Sequence, residues 1–389
     1  MSSSHENLVD DNMYRDILQV LAVCLPYCSI EGRPSVCQPN TRYTDLMNPF
    51  MHNLRSFAFA ICFLVFGALV AYGFGGLGKV VIVLLLAALE VTLSFENAVV
   101  NATVLRRLSV FWQRMFLTVG ILIAVIGMRV VVPLLVVSLT SSLPLRKVID
   151  LALYHPRQYG VHISAAHPAI AAFGGIFLLM VFLDFVIDRT KSVHWIGVVE
   201  GPLVNVARVK IVPVTGALVA LGAAIAWTTT DRAGVLIGGL MGLGVYLAIQ
   251  LLSWASGALG SASRARGVQV RGLAAFGLFC YLEVIDASFS FDGVIAAFAI
   301  TTNIFDIALG LAIGAMFVRE LTVWLVRRDT LSELIYIEHG GYYAIAALAL
   351  MLGISLRFPV PAAVTALVGA AIEGASLISS LRERGRRLT

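Results

Sequence analysis

Two stretches decide how this chain is read: Glu90-Val-Thr-Leu-Ser-Phe-Glu96 and Asp286-Ala-Ser-Phe-Ser-Phe-Asp292. Each is a carboxylate, three residues, Ser-Phe and a second carboxylate, set midway along an apolar run long enough to cross a bilayer. A charged side chain at the bilayer centre costs about 2.5–3.5 kcal/mol on insertion scales. A chain that accepts this cost in two related copies is expected to build a polar site inside the membrane. The duplication points to related halves of one transporter-like core.

Composition agrees with that placement. Hydrophobic residues make up 59% of the 389 and charged residues 13%, with a mean hydropathy of +0.89. A soluble chain carries about 25% charged residues, so the expected fold class is an all-α polytopic membrane protein. Apolar windows of about twenty residues give ten spans, near 57–76, 78–105, 115–139, 169–187, 210–228, 233–253, 272–300, 303–325, 341–356 and 360–380. Arg129 in the third and Arg319–Glu320 in the eighth mark those two as candidates for a tilt or break.

The distribution of basic residues tests the topology. With a cytoplasmic N-terminus and alternating spans, cytoplasmic segments hold 20 of the 28 Lys and Arg and external segments hold 6. That asymmetry favours cytoplasmic N- and C-termini, and the formal charge of +5 follows from those loops without implying nucleic acid. Residues 1–54 read as a polar, partly disordered cytoplasmic leader, with no basic n-region followed by an apolar h-region. Met51 leaves open an upstream extension of the start. Cys24, Cys28 and Cys37 lie in that leader with His5 but no clear fourth ligand, and read as reduced thiols before zinc.

The chain then divides into a first membrane half, 55–232, with the motif 90–101, a second half, 233–381, with the motif 283–301, and a basic tail, 382–389. Five spans per half turn the second half upside down, the inverted-repeat layout of alternating-access transporters. The connection 140–168 reads as the longest external loop. Its His155, His162 and His167 read as ordinary loop residues before metal ligands or pH sensors.

Periodicity sorts the motif residues. Glu90, Ser94, Asn97 and Asn101 recur at i, i+4, i+7 and i+11, and Glu283, Asp286 and Ser290 at i, i+3 and i+7. Each set shares one helix face, and the two polar stripes should face each other or a wet cavity. Glu96 and Asp292 fall off those stripes. Either the helices unwind at mid-membrane, at Phe-Glu-Asn and Phe-Asp-Gly, or the pair lies on a second face; precedent favours unwinding. Five carboxylates with amides and hydroxyls make an all-oxygen set suited to Mg²⁺, Mn²⁺ or Ca²⁺. Crowded acids that lose their cation bind protons instead, so proton exchange is open to such a site. The competing reading pairs the acids with Arg129 and Arg319, but two arginines do not neutralise five motif acids plus Asp184, Asp306, Glu320 and Glu373. Asp184 and Asp188 are weaker candidates.

At these motifs the chain resembles the TerC family of integral membrane proteins, in its branch catalogued as DUF475. The resemblance rests on Leu-Glu90-Val-Thr-Leu-Ser-Phe-Glu96-Asn97-Ala-Val-Val-Asn101 and on Glu283-Val-Ile-Asp286 with its continuation to Thr301. Glu-His-Gly-Gly-Tyr-Tyr at 338–343 fits more loosely. It implies a bacterial inner-membrane protein, with some relatives linked to manganese export and others to tellurite-resistance gene clusters. By position it implies a metal site of Glu90, Glu96, Asn97, Glu283, Asp286 and Asp292, supported by Ser94, Asn101 and Ser290. Glu96 stands where Asp is usual and Gly293 where Ser is frequent.

The leading expectation is therefore a non-enzymatic exporter of a hard divalent cation such as Mn²⁺, with no tightly bound cofactor and with membrane lipids as its surroundings. One alternative is a scaffold that gathers stress-response proteins at its cytoplasmic loops. The other is an intramembrane carboxylate enzyme, disfavoured because the Tyr-Asp and Gly-x-Gly-Asp pair of membrane aspartyl proteases is missing.

Overall fold

Apolar runs of this length satisfy their backbone groups in lipid only as helices or a closed barrel, and this chain takes the helical solution. The computed structural model describes residues 57–188, 193–197, 200, 212–229, 231–255, 270, 272–327 and 334–388, with only the backbone at Glu96, Ser253, Ala255, Ser290, Phe291, Asp292, Ala299, Arg327, Arg387 and Leu388. The leader with its three cysteines lies outside the described residues, as do most of 188–211 and 254–271. Two units divide the chain, Met1–Phe63 and Leu64–Thr389. Of the first, only the opening turns of the first helix are described.

In chain order the helices are α1 (Ala58–Leu93), α2 (Phe95–Leu105), α3 (Val110–Thr140), α4 (Leu145–Tyr154), α5 (Pro156–Ile187) and α6 (Val212–Trp227). They continue with α7 (Arg232–Ala255), α8 (Gly272–Ile300), α9 (Ile304–Arg327), α10 (Ile337–Ser355) and α11 (Ala362–Leu388). The extended pairing among the described residues is one isolated bridge, Leu108 with Val270. Among the described residues, eight helices are long and apolar enough to cross a membrane, and α6 is a shorter apolar helix. By helix length and hydropathy this is a multi-pass membrane protein.

The expected first and second spans share α1, which is not one rod. Gly67 lies against Leu309 and Ile313 of α9, while Val83 and Leu86 lie against Gly310 of the same α9 turn. In a straight helix residues 67 and 86 would be about 28 Å apart. The chain therefore turns back at Gly75–Gly76, where Gly76 has φ +68 and ψ −160, a conformation that only glycine adopts readily.

Two expectations are corrected. Residues 140–168 are not a loop, because α4 and the first turns of α5 occupy them. Val148 and Ala152, then Tyr159, Ile163 and Ala166, bury one side, a helical period that a twenty-residue hydropathy average dilutes with Arg146, Lys147, Asp150 and Arg157. His162 there shares a 3.0 Å hydrogen bond with Ser141 Oγ. The expected break of the motif helices is found in one copy and not in the other. α8 runs unbroken through Phe-Asp-Gly; a helical Gly293 costs about 1 kcal/mol, less than freeing backbone groups in lipid. The first motif does break, but at Ser94 (φ −105, ψ 11), between α1 and α2. The Ser94 N–H still donates to the Glu90 carbonyl at 2.9 Å, so the break is shallow.

α3 widens to a π-helical segment over Ile123–Val131, which contains Arg129. α5 packs most extensively on α7. A Cβ on Gly238 or Gly242 of α7 would strike the carbonyl oxygens of Ala169 and Phe173 on α5, so these glycines set the approach of the two backbones. Around them Phe177, Leu178, Val181, Leu221, Tyr246, Ile285 and Ile345 form the largest apolar core.

Candidate functional site

The polar residues of both motifs converge. Glu90, Ser94, Asn97 and Asn101 on the first stripe are all buried, as are Glu283 and Asp286 on the second. Asn97 Nδ2 donates to Asp286 Oδ1 at 2.7 Å across 189 residues of sequence. Glu90 Oε2 lies 2.8 Å from where a Cβ on Gly293 would stand. The first residue of each motif thus meets the eighth position of the other, so the two motif segments run antiparallel and make reciprocal contacts.

Each copy also carries its own arginine, from the helix that follows. Arg129, in the π segment of α3, pairs with Glu90 Oε1 and donates to the Ala124 carbonyl at 2.6 Å. Ser94 Oγ donates to that same Glu90 oxygen at 3.0 Å. Arg319 of α9 reaches Glu283 Oε2 at 3.2 Å and Asp286 Oδ2 at 3.4 Å. It also donates to the Phe116 carbonyl at 2.7 Å and lies 4.2 Å from the centroid of the Phe116 ring. Three described carboxylates therefore face two guanidiniums.

Glycines make room for this network. A Cβ on Gly120 would stand 2.5 Å from both Arg319 Nη1 and Glu283 Oε1, and one on Gly314 would stand 2.5 Å from Glu90 Cβ. Three acceptors on the first stripe have no hydrogen-bond partner among the described residues: Glu90 Oε2, Asn97 Oδ1 and Asn101 Oδ1. All are oxygens of the kind a hard cation takes. Among the described residues, no group of three or more His, Cys, Asp or Glu is placed to hold a metal ion.

Of the residues expected to form the site, Glu90, Ser94, Asn97, Asn101, Glu283 and Asp286 lie in or beside the network. Glu96, Ser290 and Asp292 take helical backbone positions next to it, and their side chains lie outside the described residues. Asp184 is half-buried toward Tyr246, and Asp188 ends α5. Asp306 pairs with Lys79 at 3.2 Å, away from the network. Sequence reasoning treated the arginine pairs as the competing reading and missed Gly120 and Gly314. A lone arginine in an apolar span signals a buried partner, but nothing in the sequence marks which glycines clear its path.

Against known proteins, the model of a family described as a protein of unknown function, DUF475, matches residues 95–387. The match takes in Asn97, Arg129, Glu283, Asp286 and Arg319 and begins after Glu90. No curated protein and no solved structure matches the chain.

Proposed function

The chain belongs to the DUF475 family, and from that premise we propose that it is a secondary transporter exporting a hard divalent cation. It would lie in a bacterial inner membrane with both termini cytoplasmic and would work by alternating access around the motif residues. The observation that carries this reading is reciprocity. Glu90 meets Gly293 while Asp286 meets Asn97, and each copy keeps its own arginine, Arg129 or Arg319. Two antiparallel copies in matching contacts are what an inverted repeat produces at its pseudo-two-fold axis. Such an axis lets one arrangement convert into its counterpart related by the same rotation.

The oxygens of Glu90, Asn97 and Asn101 that lack partners among the described residues, with Glu96 next to Asn97 in sequence and Asp292 next to Gly293, supply the ligand chemistry. In this reading Arg129 and Arg319 hold the acids while no ion is bound, and a divalent ion competes with them for the same carboxylates. The wider likeness to TerC proteins makes Mn²⁺ the first ion to test. A second reading has its own observation: every described motif acid already has an arginine, as a fixed internal strut would.

Flux separates the two. The full chain in liposomes should move Mn²⁺ down a gradient, and Asp286→Asn or Asp292→Asn should abolish that movement at unchanged insertion. No Mn²⁺ flux from the unaltered chain, or full flux from both variants, refutes the transporter.

A further inference from the structure

One buried acid belongs to neither arginine pair. Glu373 lies eleven residues into α11, about 16 Å along it, and is 3% exposed. Neither carboxyl oxygen has a hydrogen-bond partner, and no ion pair reaches it among the described residues. Ser376 Oγ, one turn on, donates instead to the Glu373 main-chain carbonyl at 2.8 Å. An ionised carboxylate in such surroundings costs several kcal/mol, so this packing suits the neutral, proton-bearing form.

The neighbouring charges are engaged elsewhere. On α10, Glu338 pairs with Arg106 and Arg107, His339 shares a hydrogen bond with the Val193 carbonyl, Tyr342 stacks on Phe185, and the Tyr343 hydroxyl donates to Glu200. On α8, Glu283 and Asp286 are held by Arg319. α2 brings Asn97 and Asn101, and the Glu96 side chain lies outside the described residues. On α11 itself, Arg382, Glu383, Arg384 and Arg386 follow more than two turns later.

Two adjacent glycines tie Glu373 to the motif. Gly340 of α10 packs on α11, where its Cβ would strike Ser376 and stand 3.6 Å from Glu373 Cα. Gly341 faces the other way, with its Cβ position 2.8 Å from Val100 Cγ2 and 3.5 Å from Val99 Cγ1 of α2. Val99 and Val100 lie between Asn97 and Asn101. α10 is thus in close contact with α11 through Gly340 and, through Gly341, with the helix that holds Asn97 against Asp286.

We propose that Glu373 is a proton-binding site of the transporter, separate from the arginine–carboxylate network and coupled to it through Gly340–Gly341. The proton-binding half stands on the packing of Glu373, and the coupling half rests on the transport reading above. With the proton on, the neutral carboxyl allows α10 and α11 to close. Releasing the proton to water leaves a carboxylate that draws the contact open, and α2 moves with it.

The test uses the full chain in lipid, with Glu373→Gln as the neutral isostere and Glu373→Asp as the variant that keeps the acid. Infrared titration should show a pH-dependent protonated-carboxyl band in the unaltered chain and in Glu373→Asp, lost in Glu373→Gln. In liposomes a Mn²⁺ gradient should drive proton counterflow that Glu373→Gln abolishes. An infrared band unchanged by Glu373→Gln overturns the proton site, and unchanged counterflow overturns its coupling. If the unaltered chain moves no Mn²⁺, the transport reading fails, and the infrared titration alone decides whether Glu373 binds a proton.

Discussion

Arg129 ties the first motif to α3. Its guanidinium meets Glu90 and the Ala124 carbonyl inside a widened turn, and both partners of the ion pair are almost fully buried. A buried pair is poor evidence of net stabilisation, because a well-packed apolar replacement is often as stable. Removing one partner alone leaves the other charge stranded, at about 3–5 kcal/mol. Arg129→Met should therefore destabilise the folded protein by about that amount, while Arg129→Met with Glu90→Leu should recover most of it. Unfolding measurements on the single and double variants in lipid give the comparison. Equal losses in both would mean that Glu90 and Arg129 do not act as a unit. The sequence placed both residues inside spans but could not choose the partner, since a contact across 39 residues depends on how α3 packs against α1. That each stripe shares one face was legible because its spacing is a local property of the helix.

At the scale of elements, glycine context separates turns from packing. Gly76 holds a positive φ at the α1 turn, whereas a Cβ on Gly73 would meet nothing within 4 Å. Gly76→Ala should lower stability by about 1–3 kcal/mol, because φ +68 with ψ −160 is a backbone region that side chains with a Cβ rarely adopt. Gly73→Ala, at an ordinary helical position, should be neutral or stabilising by up to about 1 kcal/mol. Thermal unfolding of the two variants checks the contrast, and equal effects would place the turn elsewhere. Hydropathy resolved the two arms of α1 because both are apolar runs interrupted by glycines. The same averaging hid α4 and the start of α5, whose apolar residues fall on one face among charges. The break at Ser94, and the continuity of α8 at the equivalent place, were illegible because similar local sequences met different neighbours. Gly314 brings α9 against Glu90 just before Ser94, whereas Gly293 inside α8 leaves room for the Glu90 carboxylate.

For the whole molecule the open structural question is whether α6 crosses the membrane. Its 16 residues span about 24 Å against a hydrocarbon core of about 30 Å, so length alone argues against a crossing. Packing argues for one. Gly238 lies against Ala169 and Gly242 against Phe173, so α5 and α7 run parallel, and the chain must return between them. α6 is the described helix that can make this return. At its end, Thr228 Oγ1 donates to the Leu356 carbonyl at 3.4 Å, which places the α6–α7 connection beside the α10–α11 connection. Single cysteines at Ser142, before α4, and Asp231, before α7, in an otherwise cysteine-free chain should therefore react with an impermeant maleimide from the same side of intact cells. A cysteine at Arg384 should react only after permeabilisation, because α7 to α11 cross an odd number of times. Labelling of Ser142→Cys and Asp231→Cys from opposite sides would leave α6 within one face of the membrane. The halves would then not hold five spans each, and the antiparallel motif contacts would need an explanation other than an inverted repeat.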